Sequence, residues 1–508
     1  AGVGGRAEGG AGARRGRAGG GMAGAGAENA AGARAGGARP PGKGKAAGGK
    51  AARKAPLGAA DANAPGGVGA PPGKRVEDVY QKLSQLEHIL LRPDTYIGSV
   101  EKQIQVAWVL QDGGGEDAPV RMEQREVAFV PGLYKIFDEI LVNACDHKVR
   151  DPKMDQLRVD IDPASSAIRV YNNGRGIPVQ MHEVEGVYVP ELIFGHLLTS
   201  SNYNDDEKKL TGGRNGYGAK LANVFSTEFV VETCDGGGSG RRYRQTFRNN
   251  MQDKDTPEIS KCKASENWTC ITFKPDLEKF GMESLEEDTV ALMKRRVYDA
   301  AGCTGGLKVF LNGEKLPIAK FEDYVNLYLG KPKDEGALPR VFDKTDRWQV
   351  CVSVSQGQFQ QVSFVNSINT MKGGTHVNGV ADQISKELLA TKALKGHKSL
   401  KAFQVKNHLW VFVNSLIENP AFDSQTKETL TLKASSFGSK WTASPDFMKK
   451  VGKCGVVDNI LSWASFKQSK DLKKNDGAKR SRITGIPKLD DANNAGTRNS
   501  DKCTLILT

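Results

Sequence analysis

The sequence predicts an α+β fold in two folded domains, and three observations predict it. Residues 132–149, GLYKIFDEILVNACDHKV, place Leu133, Ile136, Phe137, Ile140, Leu141 and Ala144 at helical spacing. Two alternating strands follow at LRVDID and AIRVYNN, joined by Pro-Ala-Ser-Ser, and STEFVVETC reads as another strand. From about residue 317 the pattern changes to mixed strands and helices, with RWQVCVSVS and QQVSFVNSI as strands. A chain of 508 residues also exceeds one ordinary domain.

Taken in order, residues 1–75 carry 13 Lys/Arg against Glu8, Glu28 and Asp61, a net +10. Of the chain's +13, only +3 is left for residues 76–508, so the folded part is nearly neutral and its overall charge does not identify a partner. The first segment is Ala/Gly-rich, has no Ser, Thr or aromatic residue, and offers only Val3, Leu57 and Val68 as larger aliphatics. Too little apolar surface is available to offset the entropy of ordering, and disorder is expected. Either a solvated tail or an electrostatic attachment to nucleic acid fits it. Transit peptides are usually Ser-rich, which this segment is not.

Order is expected from Val76, where VEDVYQKLSQLEHILLRPDTYIG reads as a short amphipathic helix and a turn at Arg92-Pro93-Asp94. QDGGGEDAP (111–119) reads as a hairpin-like loop. Beyond Lys467 the sequence KQSKDLKKNDGAKRSR turns polar and basic and reads as a linker. Boundaries are placed near 76, 316 and 475: a tail (1–75), a first domain (76–316), a second (317–475) and a terminal segment (476–508). Eight cysteines are scattered without a C-x2-C pair, so metal-ligand spacing is absent and reduced, intracellular thiols are expected. No run of 18 apolar residues exists, and no membrane partner is expected.

Four constellations carry chemistry. Glu139 and Asn143 are four apart and share a helical face. A carboxylate beside an amide suits a general base and a Mg2+ ligand, and equally a solvated helix face. Asn172-Asn173-Gly174-Arg175-Gly176-Ile177-Pro178 ends a strand. Its glycines permit a sharp turn with space for a planar ring, while a plain Asn-Gly turn also fits. Thr211-Gly212-Gly213-Arg214-Asn215-Gly216-Tyr217-Gly218-Ala219-Lys220 puts four glycines before a helix, where backbone N–H groups can cradle phosphate and Lys220 adds charge. An unliganded flexible loop is the alternative. Finally, Ser424-Gln425-Thr426-Lys427-Glu428 is a polar turn whose lysine gains interest only beside the other three.

In the order FDEILVNA, NNGRGIP, LLTSSNYNDDEKKLTGGRNGYGAKLANVFS and NPAFDSQTKE, these segments resemble the ATPase region of eukaryotic topoisomerase II, from about Val76 to the last residue. That family belongs with gyrase B, the Hsp90 chaperones, MutL and histidine kinases. The resemblance implies a two-layer α/β sandwich, a mixed, mostly antiparallel sheet with helices on one face that holds ATP between the layers. A smaller α/β transducer domain with a long terminal helix would follow. It implies Glu139 as the general base, Asn143 as Mg2+ ligand, and Asn172 in the place of the adenine reader. Ser200, Ser201 and Asn202 would contact ribose and phosphate, and Gly213, Arg214, Asn215, Gly216, Tyr217, Gly218, Ala219 and Lys220 would wrap the triphosphate. Gln425, Thr426 and Lys427 resemble a second-domain loop whose lysine senses the γ-phosphate.

Tyr80 resembles part of an arm that crosses to a partner subunit's nucleotide, so a homodimer gated by ATP is implied. The family often has Asp-Asn where this chain has Asp146-His147; ATP binding tuned by His147 is expected. Lys392, Lys395, Lys398 and Lys401 lie near the family's DNA-facing lysine loop, with a solvated loop an equal alternative. The last residues, KCTLILT, resemble the first strand of a Toprim domain whose acidic motif is missing. An ATP-hydrolysing, DNA-capturing gate without cleavage machinery, nuclear and serving chromosome segregation, is therefore expected. A nucleotide-independent clamp is the rival reading, and a plastid or mitochondrial copy the less favoured location.

Overall fold

The structure is a computed structural model in which residues 80–111, 120–199, 206–213, 216–475, 492, 494–496 and 498–504 are described. Two compact units are present, Ala1–Tyr80 and Gln81–Thr508. The expected basic tail lies outside the described residues, so the architecture is that of the second unit.

Its first helix, α1 (Gln85–Leu91), starts where local chemistry dictates. The Glu87 N–H donates to Ser84 Oγ at 3.2 Å, and the Ser84 N–H donates back to Glu87 Oε2 at 2.7 Å. Pro93 then starts the short α2 (Asp94–Ile97). β1 (Gln103–Leu110) and β2 (Met122–Phe129) pair antiparallel, with Leu110 opposite Met122, and residues 112–119 of the Gly-rich segment lie outside the described residues.

α3 (Pro131–Arg150) opens with proline in its first turn, where the missing N–H has no helical partner to lose. It buries Leu133, Ile136, Phe137, Ile140 and Leu141, each side chain worth about 1.5–3 kcal/mol of apolar burial. β3 (Gln156–Asp162) and β4 (Ala167–Asn172) follow, with every second residue inward: Leu157, Val159 and Ile161, then Ile168, Val170 and Asn172. Next come α4 (Val189–Gly195), α5 (Gly218–Val224), β5 (Ser226–Asp235), β6 (Arg241–Arg248), β7 (Asp253–Lys254), β8 (Glu258–Lys261) and β9 (Asn267–Pro275). The segment ends with α6 (Glu287–Cys303), β10 (Lys308–Leu311) and β11 (Glu314–Lys315). The nine strands form one sheet in the order β11-β10-β3-β4-β9-β5-β6-β7, with β8 also on β6. Only β10–β3 is parallel, so the sheet is mixed and mostly antiparallel as expected. Helices α3, α5 and α6 pack on it.

A second sheet follows α7 (Phe321–Leu329). It contains β12 (Arg340–Lys344), β13 (Trp348–Val354), β14 (Gln360–Val365), β15 (Ile368–Asn369) and β16 (Leu409–Ser415), in the order β12-β13-β16-β14-β15. Central β16 is buried throughout. Between β15 and β16 lie α8 (Thr375–Ala390), α9 (Lys392–Lys395) and α10 (Ala402–Lys406), and the chain continues to α11 (Pro445–Val451) and α12 (Val456–Asn475). This sheet has a core of its own, built around Val350, Val352, Val411, Val413, Ile384 and Leu388. The two cores meet through α6. Arg296 Nε reaches Asp138 on α3 at 2.6 Å, and its Nη2 donates to the Ser367 carbonyl at 2.6 Å.

One expectation is overturned. Residues 467–475, read as linker, are helical and complete the 20-residue α12. Lys, Leu, Ser and Gln are tolerable helix formers, and a helix already nucleated at Val456 propagates through them without an apolar face.

Candidate functional site

Steps of four residues along α3 put Lys135, Glu139, Asn143 and His147 on one face. Glu139 is 3% exposed and Lys135 4%, which removes the reading of this face as solvated. The face looks into a cavity of about 570 Å³, a volume suited to a nucleotide-sized ligand. Its apolar side is supplied by Val170, Ile177 and Ile271, with the Asn172 amide among them. Gly216, Tyr217, Gly218, Ala219 and Lys220 line another side, and Gln425 and Lys427 reach in from beyond the second sheet.

Lys427 brings distant segments together. Its backbone is left-handed, with φ +60°, a rare conformation for a residue with a Cβ. The side chain is buried, and Nζ donates to Glu139 Oε1 at 3.0 Å. Lys135 Nζ lies 2.7 Å from the same oxygen and 3.6 Å from Asp138. Burial alone raises the Glu139 carboxyl, but the two ammonium groups outweigh it and hold it down at about 2. On the other side, Glu139 faces α5. A Cβ on Gly218 would sit 2.0 Å from Glu139 Oε2, so only glycine lets this helix start against the carboxylate.

The glycine-rich segment behaves differently at its two ends. The Gly212 and Gly213 N–H groups donate to Asp146 at 2.7 and 2.8 Å and so are engaged by α3, while Gly213 also lines the cavity. Burial raises the Asp146 carboxyl, and these two donors oppose it. Gly216 takes φ +71° before α5, whose first turn has N–H groups without intrahelical partners. Lys220 is buried, donates to the Thr199 carbonyl, and is lowered by burial to about 8.

The glycines after Asn172 also differ from expectation. Neither Gly174 nor Gly176 has positive φ, so no sharp turn demands them. A Cβ on Gly174 would meet the His147 ring at 2.2 Å, and one on Gly176 would meet the Cys234 carbonyl oxygen at 1.9 Å. The His147 imidazole packs directly against Gly174. Burial, then Arg150, lowers the pKa of that imidazole, and its buried Nε2 has no hydrogen-bond partner among the described residues.

Of the remaining expected residues, Thr426 points elsewhere: its hydroxyl pairs with Ser424 and its methyl lies against Gly98. Tyr80 is exposed and belongs to the first unit. Ser200, Ser201, Asn202, Arg214 and Asn215 lie outside the described residues. Lys392, Lys395, Lys398 and Lys401 are all exposed, on α9 and the segment after it.

Two sequence families match this arrangement. Residues 130–279 match the histidine kinase-, DNA gyrase B- and HSP90-like ATPases, and residues 320–479 match DNA gyrase B. The ATPase region of Saccharomyces cerevisiae topoisomerase II is covered over 100% of its chain and 77% of this one, at 49% identity and a TM-score of 0.71. The chain belongs to the DNA topoisomerase II family. The ATPase and transducer domains of the Balamuthia mandrillaris topoisomerase II are similar too, at 48% identity and a TM-score of 0.73, over 78% of this chain and 100% of that one. DNA topoisomerase 2 of Arabidopsis thaliana is 62% identical over 442 residues, 86% of this chain but 29% of that protein. Human DNA topoisomerase 2-alpha is 57% identical over 439 residues, 85% of this chain and 28% of its own length. This chain therefore spans less than a third of the curated relatives it matches.

Within this topoisomerase II fold, sequence reasoning missed Lys135 and the anchoring role of Asp146. Lys135 was within reach of it, because an i,i+4 Lys–Glu pair on a helix is a readable signal. Asp146 was not, because its partners Gly212 and Gly213 are 66 and 67 residues away.

Proposed function

We propose that this chain is the ATP-operated gate of a type II DNA topoisomerase, with Glu139 as the base for γ-phosphate hydrolysis. The observation that carries the reading is the buried Lys427–Glu139 contact at the mouth of a nucleotide-sized cavity. Adenine suits the apolar side near Val170, Ile177 and Ile271, with Asn172 as its polar reader. The phosphates suit the start of α5, where unpaired N–H groups and Lys220 meet them. Asn143 faces the same space, and one amide oxygen beside phosphate oxygens fits the few protein ligands Mg2+ takes. Bound there, Mg2+ would neutralise phosphate charge.

The pairing of Glu139 gives the gate its logic. Held between Lys135 and Lys427, the carboxylate is charged but a weak base. A γ-phosphate competes with it for Lys427, and the loss of one ammonium raises the basicity of Glu139 where an attacking water must be deprotonated. Lys427 stands on the turn after the second sheet, so the same exchange ties phosphate occupancy to the second domain. The proposal extends to dimerisation around a DNA duplex, contact of Lys392, Lys395, Lys398 and Lys401 with its phosphates, and nuclear residence, with family membership and the exposure of these lysines as support. The division near residue 316 into ATPase and transducer domains is part of the same proposal, supported by the two sheets.

The test is ATP turnover by the full chain beside Glu139→Gln, with sedimentation in a non-hydrolysable ATP analogue. Turnover should fall at least about 100-fold in the variant, while the analogue still drives dimerisation. Equal turnover by both proteins would remove Glu139 as the base, and no turnover and no response to the analogue by either would replace the gate with the nucleotide-independent clamp.

A further inference from the structure

The outer end of the large sheet gathers three ligand-type side chains that lie far apart in sequence. Cys234, near the end of β5, is fully buried. Cys262 directly follows β8, and its N–H donates to the Gly240 carbonyl at 3.1 Å. Glu266 stands just before β9 and is exposed. The Cys234 and Cys262 sulfurs and a Glu266 oxygen all lie within 4.8 Å of one another, with Cys234 Sγ 4.0 Å from Glu266 Oε2.

Backbone contacts hold the three in place. The Gly236 N–H donates to the Glu266 carbonyl at 2.9 Å, and the Glu266 N–H donates to the Lys263 carbonyl at 2.9 Å. A Cβ on Gly236 would sit 2.0 Å from the Lys263 oxygen, so glycine there lets the 262–266 loop seat on the β5–β6 turn.

We propose that Cys234, Cys262 and Glu266 form a binding site for a thiophilic divalent cation of the zinc class. Two sulfurs and a carboxylate oxygen are the donors such ions take, and tetrahedral bonds of about 2.3 Å ask for sulfurs about 3.8 Å apart. Exposed Glu266 gives the ion its approach from solvent, and water completes the coordination. Each thiol releases its proton to solvent as its sulfur–metal bond forms, so affinity falls as the solution is acidified.

A direct disulfide fits less well. β6 lies between β5 and β8 in the sheet. Strands flanking a third at ~4.8 Å spacing stand farther apart than the ~7 Å that Cα atoms of a disulfide allow. Loading would also brace the nucleotide cavity. Thr233, next to Cys234, accepts the Ile177 N–H at 3.0 Å, and Gly176 abuts the Cys234 carbonyl.

The experiment titrates the reduced full chain with Cd2+, reading the ultraviolet thiolate-to-cadmium band and the melting temperature. One equivalent should develop the band and raise the Tm. Both effects should vanish in Cys262→Ser and weaken in Glu266→Gln, variants whose metal-free Tm shows that they fold. No band, a band equally strong in both variants, or a Cys234–Cys262 disulfide found by peptide mapping of the oxidised chain would overturn the site.

Discussion

At the scale of single residues, the site is an electrostatic balance around one carboxylate. Glu139 is ion-paired with two buried lysines that come from opposite sources, Lys135 from its own helix and Lys427 from 288 residues away. Removing either should therefore change the basicity of Glu139 before it changes the fold. Lys135→Met keeps the apolar stem and deletes the charge. Burial then dominates, and the acid limb of the pH–rate profile for ATP turnover should move about one to two pH units toward neutrality. An unmoved acid limb would mean that Lys135 has no hold on the reacting carboxylate.

At the scale of elements, α3 and α6 carry the coupling between the two cores. Arg296 is fully buried on α6, bound to Asp138 of α3 and to the Ser367 carbonyl in the β14–β15 turn. Its guanidinium is kept charged because Asp138 outweighs the effect of burial. Nearby, Asn414 on β16 donates to the Cys303 carbonyl at the end of α6 at 3.0 Å, and Asn369 on β15 donates to Asp299 at 3.0 Å. Breaking one member of a buried pair strands the other charge. Arg296→Met should thus lower the free energy of unfolding by about 3–5 kcal/mol, read from urea denaturation. A loss of a few tenths would show that the two cores are held by apolar packing alone.

Across the whole molecule, several buried groups prefer the form they have near neutral pH, and acid works against all of them. Burial lowers His376 from 6.5 to about 3, so the unfolded chain takes up that proton first. Stability from His376 is complete above about 6.5 and is lost as pH falls toward 3. Glu139, lowered from 4.5 to about 2, adds a second loss between those values. Both signs agree. The urea midpoint should fall steadily from pH 7 to pH 4, and His376→Gln should flatten the upper part of that curve. A midpoint independent of pH in both proteins would contradict the linkage.

The sequence by itself determined most of the elements and several of the side chains that meet at the cavity. α3 was legible because its apolar residues repeat at helical spacing, and β3 and β4 because theirs alternate. Glu139, Asn143, Asn172, Lys220 and Lys427 were legible because each sits in a distinctive local motif, and the structure brings all five to one cavity. Tertiary structure alone decided what each local pattern left open. Burial turned a Glu139–Asn143 face that fits solvent equally well into the seat of an ion-paired carboxylate. A clash no local rule contains made Gly174 room for His147 and Gly176 room for Cys234. The contact of Cys234 with Cys262 and Glu266 was hidden for the same reason. Spacing along a chain encodes which side chains share a helix face or a strand edge, and only the packed sheet sets which distant segments end side by side.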